Sequence, residues 1–438
     1  MRRLDSAWLR MDRPKNTADV VALLGLAEPV PFARLRALVE DRLLGWRRFR
    51  QRVRDPALGR AEWEDDPGFA LARHLEEVPL RGGTPALREH LGALATSSFD
   101  PSRPPWRMQL LDLGRRRSAL AVKVHHCVGD GRALVRILLG LAEPTAPPST
   151  APGPAYRALR LTREPLAAAL QALRNPALAA RLAGEAAAFS TSLARLALLP
   201  LDTTAGLVRP LTGERRVAWT QPVPFPEASR AARAAGATLN ELFVAAIAGA
   251  IRRVLPASPN GTPRAEPRAL VPVDARSPGD ASLGNAFGLV FVELPTEVTS
   301  PAARLAAVRE RFARIRRSPD AAVTLAVLAA FGLLPRPLEH LATGFFSRKA
   351  SLVVTNVRGP PARVRLGGAE VERMVFWVPH PATLGLGVSI LSYAGTVSVG
   401  VRADAGLLVE PAALADAIGV ELEEHGVRAG RGAAPARA

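Results

Sequence analysis

The side chains best placed for chemistry are His125, His126 and Asp130, all within the stretch SALAVKVHHCVGDG at residues 118–131. A neutral imidazole at physiological pH is the usual general base for taking a proton from a hydroxyl or thiol. Ala119 to Val124 are apolar except for Lys123, and β-branched Val122 and Val124 favour a strand. Alternation along that strand puts His126 on one face with Val124 and Val122, and His125 on the other with Lys123 and Ala121. Only one of the two histidines can therefore enter a given pocket. Gly129-Asp130-Gly131 predicts a turn, with glycines free to take positive φ and the aspartate accepting local backbone hydrogen bonds. A helix pattern follows from Arg132. A lone histidine in an apolar stretch is more often a satisfied core residue, so composition alone does not decide the matter. Cys127 is the single cysteine, so the chain has no internal disulfide and suits a reducing compartment. Its strand neighbours point away from it, and it reads as packing.

The scaffold around this stretch is large. With 438 residues, 48 % of them hydrophobic, the chain supports two or three domains and a sizeable core. Its net charge of +18 is almost all arginine, with lysine only at positions 15, 123 and 349. Such a surface attracts polyphosphates, anionic lipid or nucleic acid. A GC-biased genome gives the same composition without selection for any ligand. The remaining histidines, His74, His90, His340, His380 and His425, lack metal-ligand spacing. Neither a Gly-rich phosphate loop nor a Gly-x-Ser-x-Gly elbow occurs. MRRLDSAWLRMD has no apolar signal core, and the longest apolar run, Ala321 to Leu334, falls short of the ~20 residues that span a bilayer. A soluble or peripheral protein is the expectation.

In chain order, residues 31–53 read as an amphipathic helix leading into an arginine-rich strand. Residues 96–114 are held rigid by Pro101, Pro104 and Pro105 before a strand pair. A Pro/Ser/Thr/Ala linker and Ala/Leu-rich helices broken at Pro165 and Pro176 occupy 141–215. These helices bridge two halves of the chain, and their apolar and arginine faces also suit an anionic lipid surface. Thr238 and Glu241 form a predicted capping box at the head of a helix, with Asn240 in its first turn. Residues 268–295 predict two strands joined by a loop, 302–334 two helices, and 385–406 a hairpin turning at Tyr393-Ala394-Gly395. The predicted division is 1–140, 141–215, 216–425 and a disordered tail at 426–438.

His125-His126-x-x-x-Asp130-Gly131 resembles the signature of the CoA-dependent acyltransferase superfamily. Further blocks are similar to the bacterial wax ester synthase/diacylglycerol acyltransferase family: Leu4-Asp5 followed by Trp8; Phe99-Asp100 with Arg103-Pro104-Pro105-Trp106; Asn240-Glu241; Pro272 to Arg276 with Gly284-Asn285; Thr355-Asn356 before Gly359-Pro360; and Ser392-Tyr393-x-Gly395 followed by Asp404. Three positions depart from the family: Arg107 replaces an acidic residue, Glu241 an aspartate and Arg358 a proline.

The resemblance implies an α/β fold of two chloramphenicol-acetyltransferase-like sandwich domains with the active-site tunnel between them. His126 would be the general base, supported by His125 and by Asp130, with Asp130 turned away to pair with Arg50 or Arg52. Asn240 would face the developing oxyanion. Gly131, Arg103, Trp106, Thr355 and Asn356 would line the substrates, while Gly129 and Glu241 support the backbone. The implied reaction moves a long-chain acyl group from acyl-CoA, a substrate rather than a cofactor, to diacylglycerol or a long-chain alcohol. No metal or other cofactor and no nucleic acid is expected. The expected location is cytoplasmic, peripherally attached to the inner membrane or to lipid inclusions. Two alternatives stand beside this: a natural-product acyltransferase or condensation-like domain, and a non-catalytic lipid-surface or nucleic-acid binding protein.

Overall fold

The computed structural model describes residues 1–56, 59–114, 116–142, 175–256, 266–274, 285 and 287–430. The first half runs α1 (Arg3–Arg10), β1 (Asp19–Leu26), α2 (Phe32–Leu38), β2 (Gln51–Arg54), β3 (Glu62–Asp65) and β4 (Leu75–Pro79). It continues through α3 (Gly83–Thr96), β5 (Trp106–Gly114), β6 (Arg117–His125) and α4 (Gly131–Leu141) to α5 (Pro176–Leu198). The second half begins with β7 (Arg215–Trp219), β8 (Val223–Pro224), α6 (Phe225–Ala234), α7 (Leu239–Val254), β9 (Arg268–Asp274) and β10 (Phe287–Glu293). Then come α8 (Pro301–Arg317), α9 (Asp320–Phe331), α10 (Arg336–Ser347), β11 (Leu352–Arg358), β12 (Arg365–Leu366) and β13 (Ala369–Trp377). The hairpin β14 (Leu386–Tyr393) and β15 (Thr396–Asp404) precedes α11 (Pro411–Glu424).

Two mixed sheets carry the fold. One has the order β12-β13-β1-β6-β5-β4, the other β10-β9-β11-β14-β15-β7, and β2 and β3 form a separate ribbon. The boundary predicted at 140 and 216 is not a boundary in space. β13 pairs antiparallel with β1, Val21 opposite Trp377, so the first sheet is completed by chain from the second half. The physical reason is that β1 is buried along nearly its whole length, and an apolar strand of that kind needs a ladder partner on each edge. At the other end of the exchange, α1 packs on α9 and α10. The approach is close: a Cβ on Gly332 would lie 2.1 Å from the carbonyl oxygen of Arg3.

Between the sheets lies a buried polar layer. Lys123 Nζ stands 3.1 Å from Asp19 and donates to Leu94 O, while Arg402 Nη1 donates to Asp19 O at 2.7 Å. Arg215 pairs with Asp404 and donates to Asn16. These contacts join β1 and β6 to β7 and β15, and a buried charge is tolerated only when it is paired in this way.

The capping box at α7 is present, with Glu241 N donating to Thr238 Oγ1 at 3.2 Å and Thr238 N to Glu241 Oε2 at 2.8 Å. The β14–β15 hairpin turns on Ala394 and Gly395, both at positive φ, as a two-residue primed turn requires. Of the bridging helices, α5 lies on α9. The segment broken at Pro165, the Arg276 and Gly284 positions, and most of the predicted tail fall outside the described residues.

Candidate active site

The site is built where β6 runs out. His126 follows the last ladder residue, and its N–H still bonds across to Ala18 O at 2.8 Å, so backbone pairing with the β1 side holds it in place. Its ring is sandwiched in apolar surface. Trp8 stacks on it with centroids 4.2 Å apart and Phe287 meets it edge-on at 5.8 Å. Nδ1 is buried with no hydrogen-bond partner of good geometry. Burial pushes the His126 pKa down to about 4, assisted by the charge of His125 and opposed by Asp130 and Asn285. The ring is thus a neutral imidazole throughout the physiological range.

His125 points the other way, as strand alternation predicts. Its Nε2 is 3.1 Å from both oxygens of Asp12, and its Nδ1 accepts the Cys127 N–H at 3.1 Å. Burial opposes a charge here, but the Asp12 carboxylate outweighs it and raises the pKa well above the ordinary imidazole range. Asp12 also accepts the Ala18 N–H, so it braces both the strand end and the His125 ring. His125 is a positioning residue; it does not share the His126 pocket. Cys127 is buried, with its thiol pKa raised by that burial, in keeping with packing.

The motif loop differs from expectation in two ways. Neither Gly129 nor Gly131 takes positive φ. Gly131 is small for another reason, since a Cβ there would lie 3.0 Å from Val357 Cγ2 on β11, where α4 meets the second half. Asp130 is the N-cap of α4, accepting the Ala133 N–H at 3.1 Å. Arg50 and Arg52 do not brace it. Arg52 lies 2.6 Å from Glu64 within the β2–β3 ribbon, and Arg50 is exposed near Asp65. The arginine this segment does deliver is Arg48, which donates to Val128 O at 3.0 Å and stands 3.6 Å from Asp5.

Asp5 and Asn285 complete the support. Asn285 Nδ2 donates to the His126 carbonyl at 2.9 Å, and Asp5 Oδ1 accepts from both Asn285 N and Nδ2 at 2.8 and 3.0 Å. Trp8, Asp12, Asp5 and Asn285 were given no role by sequence reasoning. The available signal was the family blocks that contain Asp5, Trp8 and Asn285; Asp12, just past the end of α1, had none.

Other predicted residues divide cleanly. Asn240 and Asn356 come together, with Asn356 Nδ2 donating to Asn240 Oδ1 at 3.3 Å beside the Gly131–Val357 contact. Thr355 is buried on β11. Glu241 is occupied by the capping box and by Arg316 at 2.7 Å. Trp106 sits in the core: it is 1 % exposed, stacked on His74 and bonded through Nε1 to Phe49 O. Arg103 pairs with Asp100 at 3.1 Å on the surface.

An apolar slot of about 400 Å³, part of it open to solvent, begins at Gly131. It runs between α4 and the first sheet, past Leu134, Leu138, Ala22 and Met374, with Val357 at the second-half side. A second space, lined by the same Leu134 and Leu138, continues it toward Phe49 and Met108. A buried neutral base, and a wholly apolar slot that opens at Gly131 of the same motif, together suit a reaction that deprotonates a hydroxyl of a hydrocarbon-bearing substrate.

Comparison with known proteins agrees with that chemistry. The wax ester synthase/diacylglycerol acyltransferase catalytic-domain profile matches residues 1–243, and the C-terminal-domain profile of the same family matches residues 283–425. A probable diacylglycerol O-acyltransferase of Mycobacterium tuberculosis is 30 % identical, over 95 % of this chain and 93 % of that protein. A second, putative one from the same organism is 28 % identical over 96 % and 89 %. Among solved structures, the wax ester synthase/diacylglycerol acyltransferase of Marinobacter aquaeolei VT8 superposes with a TM-score of 0.67 at 21 % identity, covering 96 % of this chain and 97 % of that one. The first condensation domain of the CDA synthetase shares the fold, with a TM-score of 0.59 at 15 % identity over 97 % and 96 %. With both family profiles aligned across most of its length, the chain belongs to the wax ester synthase/diacylglycerol acyltransferase family and is an O-acyltransferase.

Proposed function

We propose that this chain transfers a long-chain acyl group from acyl-CoA to the hydroxyl of diacylglycerol or a long-chain alcohol, giving triacylglycerol or wax ester. The observation that carries the reading is the neutral, buried His126 ring at the end of β6, in the same motif whose Gly131 opens the apolar slot. His126 Nε2 accepts the hydroxyl proton as the alcohol oxygen bonds to the thioester carbonyl carbon. The imidazolium so formed is opposed by its apolar surroundings and favoured by Asp130, whose charge faces it. The Asn240–Asn356 pair supplies amide donors for the tetrahedral oxyanion. On collapse, the carbon–sulfur bond breaks and the proton on His126 passes to the departing CoA thiolate, which restores the neutral base. A hydrocarbon tail fills the slot beneath α4.

Both products are water-insoluble, which favours work at a membrane or lipid-inclusion surface facing the cytoplasm. No single helix among the described residues is long and apolar enough to cross a bilayer. The likeness to condensation domains rests on fold alone, and nothing in the site favours an amine acceptor. The test follows free CoA release from palmitoyl-CoA with hexadecanol and with dipalmitoylglycerol as separate acceptors. Release that depends on either acceptor supports the reading, and release only with amines or short polyols overturns it.

A further inference from the structure

Among the described residues, the most exposed large apolar side chains, Leu198 apart, fall on one helix. Leu333, Leu338, Leu341 and Phe345 are 49, 54, 71 and 54 % exposed, all on α10 or in the turn just before it. Leu338, Leu341 and Phe345 are spaced i, i+3, i+7, which makes one stripe along the helix. Exposed Arg336 and Arg348 stand at its two ends. Leu198, 82 % exposed at the end of α5, is drawn alongside because Lys349 Nζ donates to Ala197 O and Leu199 O, at 2.9 and 2.5 Å.

The helix itself is nearly free of negative charge. Between Asp320 and Glu370 the sequence has a single acidic residue, Glu339. That residue is buried on the opposite face of α10 with Arg10 at 3.4 Å, so the exposed face carries apolar groups and arginines without a carboxylate.

The rear of α10 leads to the active site. Phe346 packs in one cluster with Trp8, Met11 and Phe287, and Arg13 donates to Thr343 at 2.9 Å. Trp8 in turn stacks on His126. The helix bearing the exposed stripe is thus packed directly against the layer that holds the base.

We propose that α10, with the Leu333–Pro337 turn and Leu198, is the face by which the protein lies on an anionic phospholipid leaflet. The leucines and Phe345 enter the acyl boundary while Arg336 and Arg348 meet the phosphates. An apolar stripe with an arginine at each end and no exposed carboxylate on its own helix is unfavourable in water and matched in both respects by such a surface. Docked in this way, the protein places its acyl-transfer site against the layer in which diacylglycerol dissolves. That last consequence rests on the acceptor proposed above.

The test uses the full chain in flotation with phosphatidylcholine vesicles, with and without phosphatidylglycerol. Wild type is expected to float with the phosphatidylglycerol vesicles. Leu341→Asp/Phe345→Asp should lower partitioning about tenfold or more, given the apolar area withdrawn. Arg336→Gln/Arg348→Gln should weaken binding to the anionic vesicles alone, and Val420→Asp, at an exposed apolar position on α11, should change nothing. Each variant should keep wild-type turnover between hexanoyl-CoA and a short water-soluble alcohol, because none of these residues touches the site. The proposal is overturned if Leu341→Asp/Phe345→Asp floats like wild type, if Val420→Asp loses as much, or if wild type ignores vesicles and instead self-associates or captures a protein through this face. Vesicle binding with no acyl transfer to any alcohol would instead refute the catalytic reading and leave the surface standing.

Discussion

Trp8→Ala should raise the pKa of the catalytic base and reshape the pH dependence of turnover. The wild-type ring is pressed between Trp8 and Phe287, and burial pushes its pKa to about 4 from 6.5. That displacement corresponds to about 3 kcal/mol disfavouring the imidazolium. Removing the indole opens one face of the ring to water. Recovering most of the displacement would bring the pKa to about 6. Only the neutral ring accepts a proton, so kcat/KM falls as pH drops through this pKa. Wild type should therefore give a ratio of kcat/KM at pH 5.5 to that at pH 7.5 of about 1, and Trp8→Ala a ratio of about 0.3. Titration of the donor's own phosphate is common to both proteins and cancels when the two profiles are divided. CoA release under kcat/KM conditions across this range measures it. A wild-type acid limb near pH 6.5, or a Trp8→Ala profile that overlays wild type, would refute the reasoning.

The same buried ring links folding to pH: its contribution is present above pH 6.5 and is lost as pH falls toward 4, where the unfolded chain binds a proton the native one refuses; urea unfolding of His126→Phe beside wild type should show that slope removed. Glu339 has the opposite sign. Burial raises its pKa to about 7 from 4.5, so stability should decline as pH rises from about 4.5 to about 7, by ~3 kcal/mol at most, and Glu339→Gln should flatten that slope in urea titrations. Leu138→Trp would fill the slot under α4; if this excludes about four methylenes at ~0.8 kcal/mol each, kcat/KM with palmitoyl-CoA should fall about 200-fold while hexanoyl-CoA is spared. Loss that follows the length of the alcohol and not of the acyl donor would assign the slot to the acceptor tail.

The parts of this account that were legible in the sequence are those set by local pattern. Alternation along Ala119–Val124 predicts that the two histidines diverge, and they do, one toward Asp12 and one toward Trp8. The Thr238–Glu241 capping box and the Ala394-Gly395 turn are likewise written in a few adjacent residues. What stayed hidden depends on contacts between distant stretches. Asn285 reaches the His126 carbonyl from 159 residues away, and Arg10 reaches Glu339 across 329. No local rule brings β13 back to β1, so the interleaving of the two halves could not be foreseen. The expectation for Arg50 and Arg52 came from the right segment, but a short helical turn at Arg47–Arg50 directs Arg48 inward and leaves Arg50 outside. Trp106 shows the converse case: a tryptophan within a recognisable motif is placed by packing on His74 and Phe49.

The most direct test of the central claim compares wild type with His126→Ala in acyl transfer from palmitoyl-CoA to dipalmitoylglycerol and to hexadecanol, with folding checked by thermal melting. Removal of a general base costs about 10² to 10⁴ in turnover. The account predicts a loss within or above that range with the acceptor-dependent reaction chiefly affected. Wild-type turnover in a folded His126→Ala protein would contradict it.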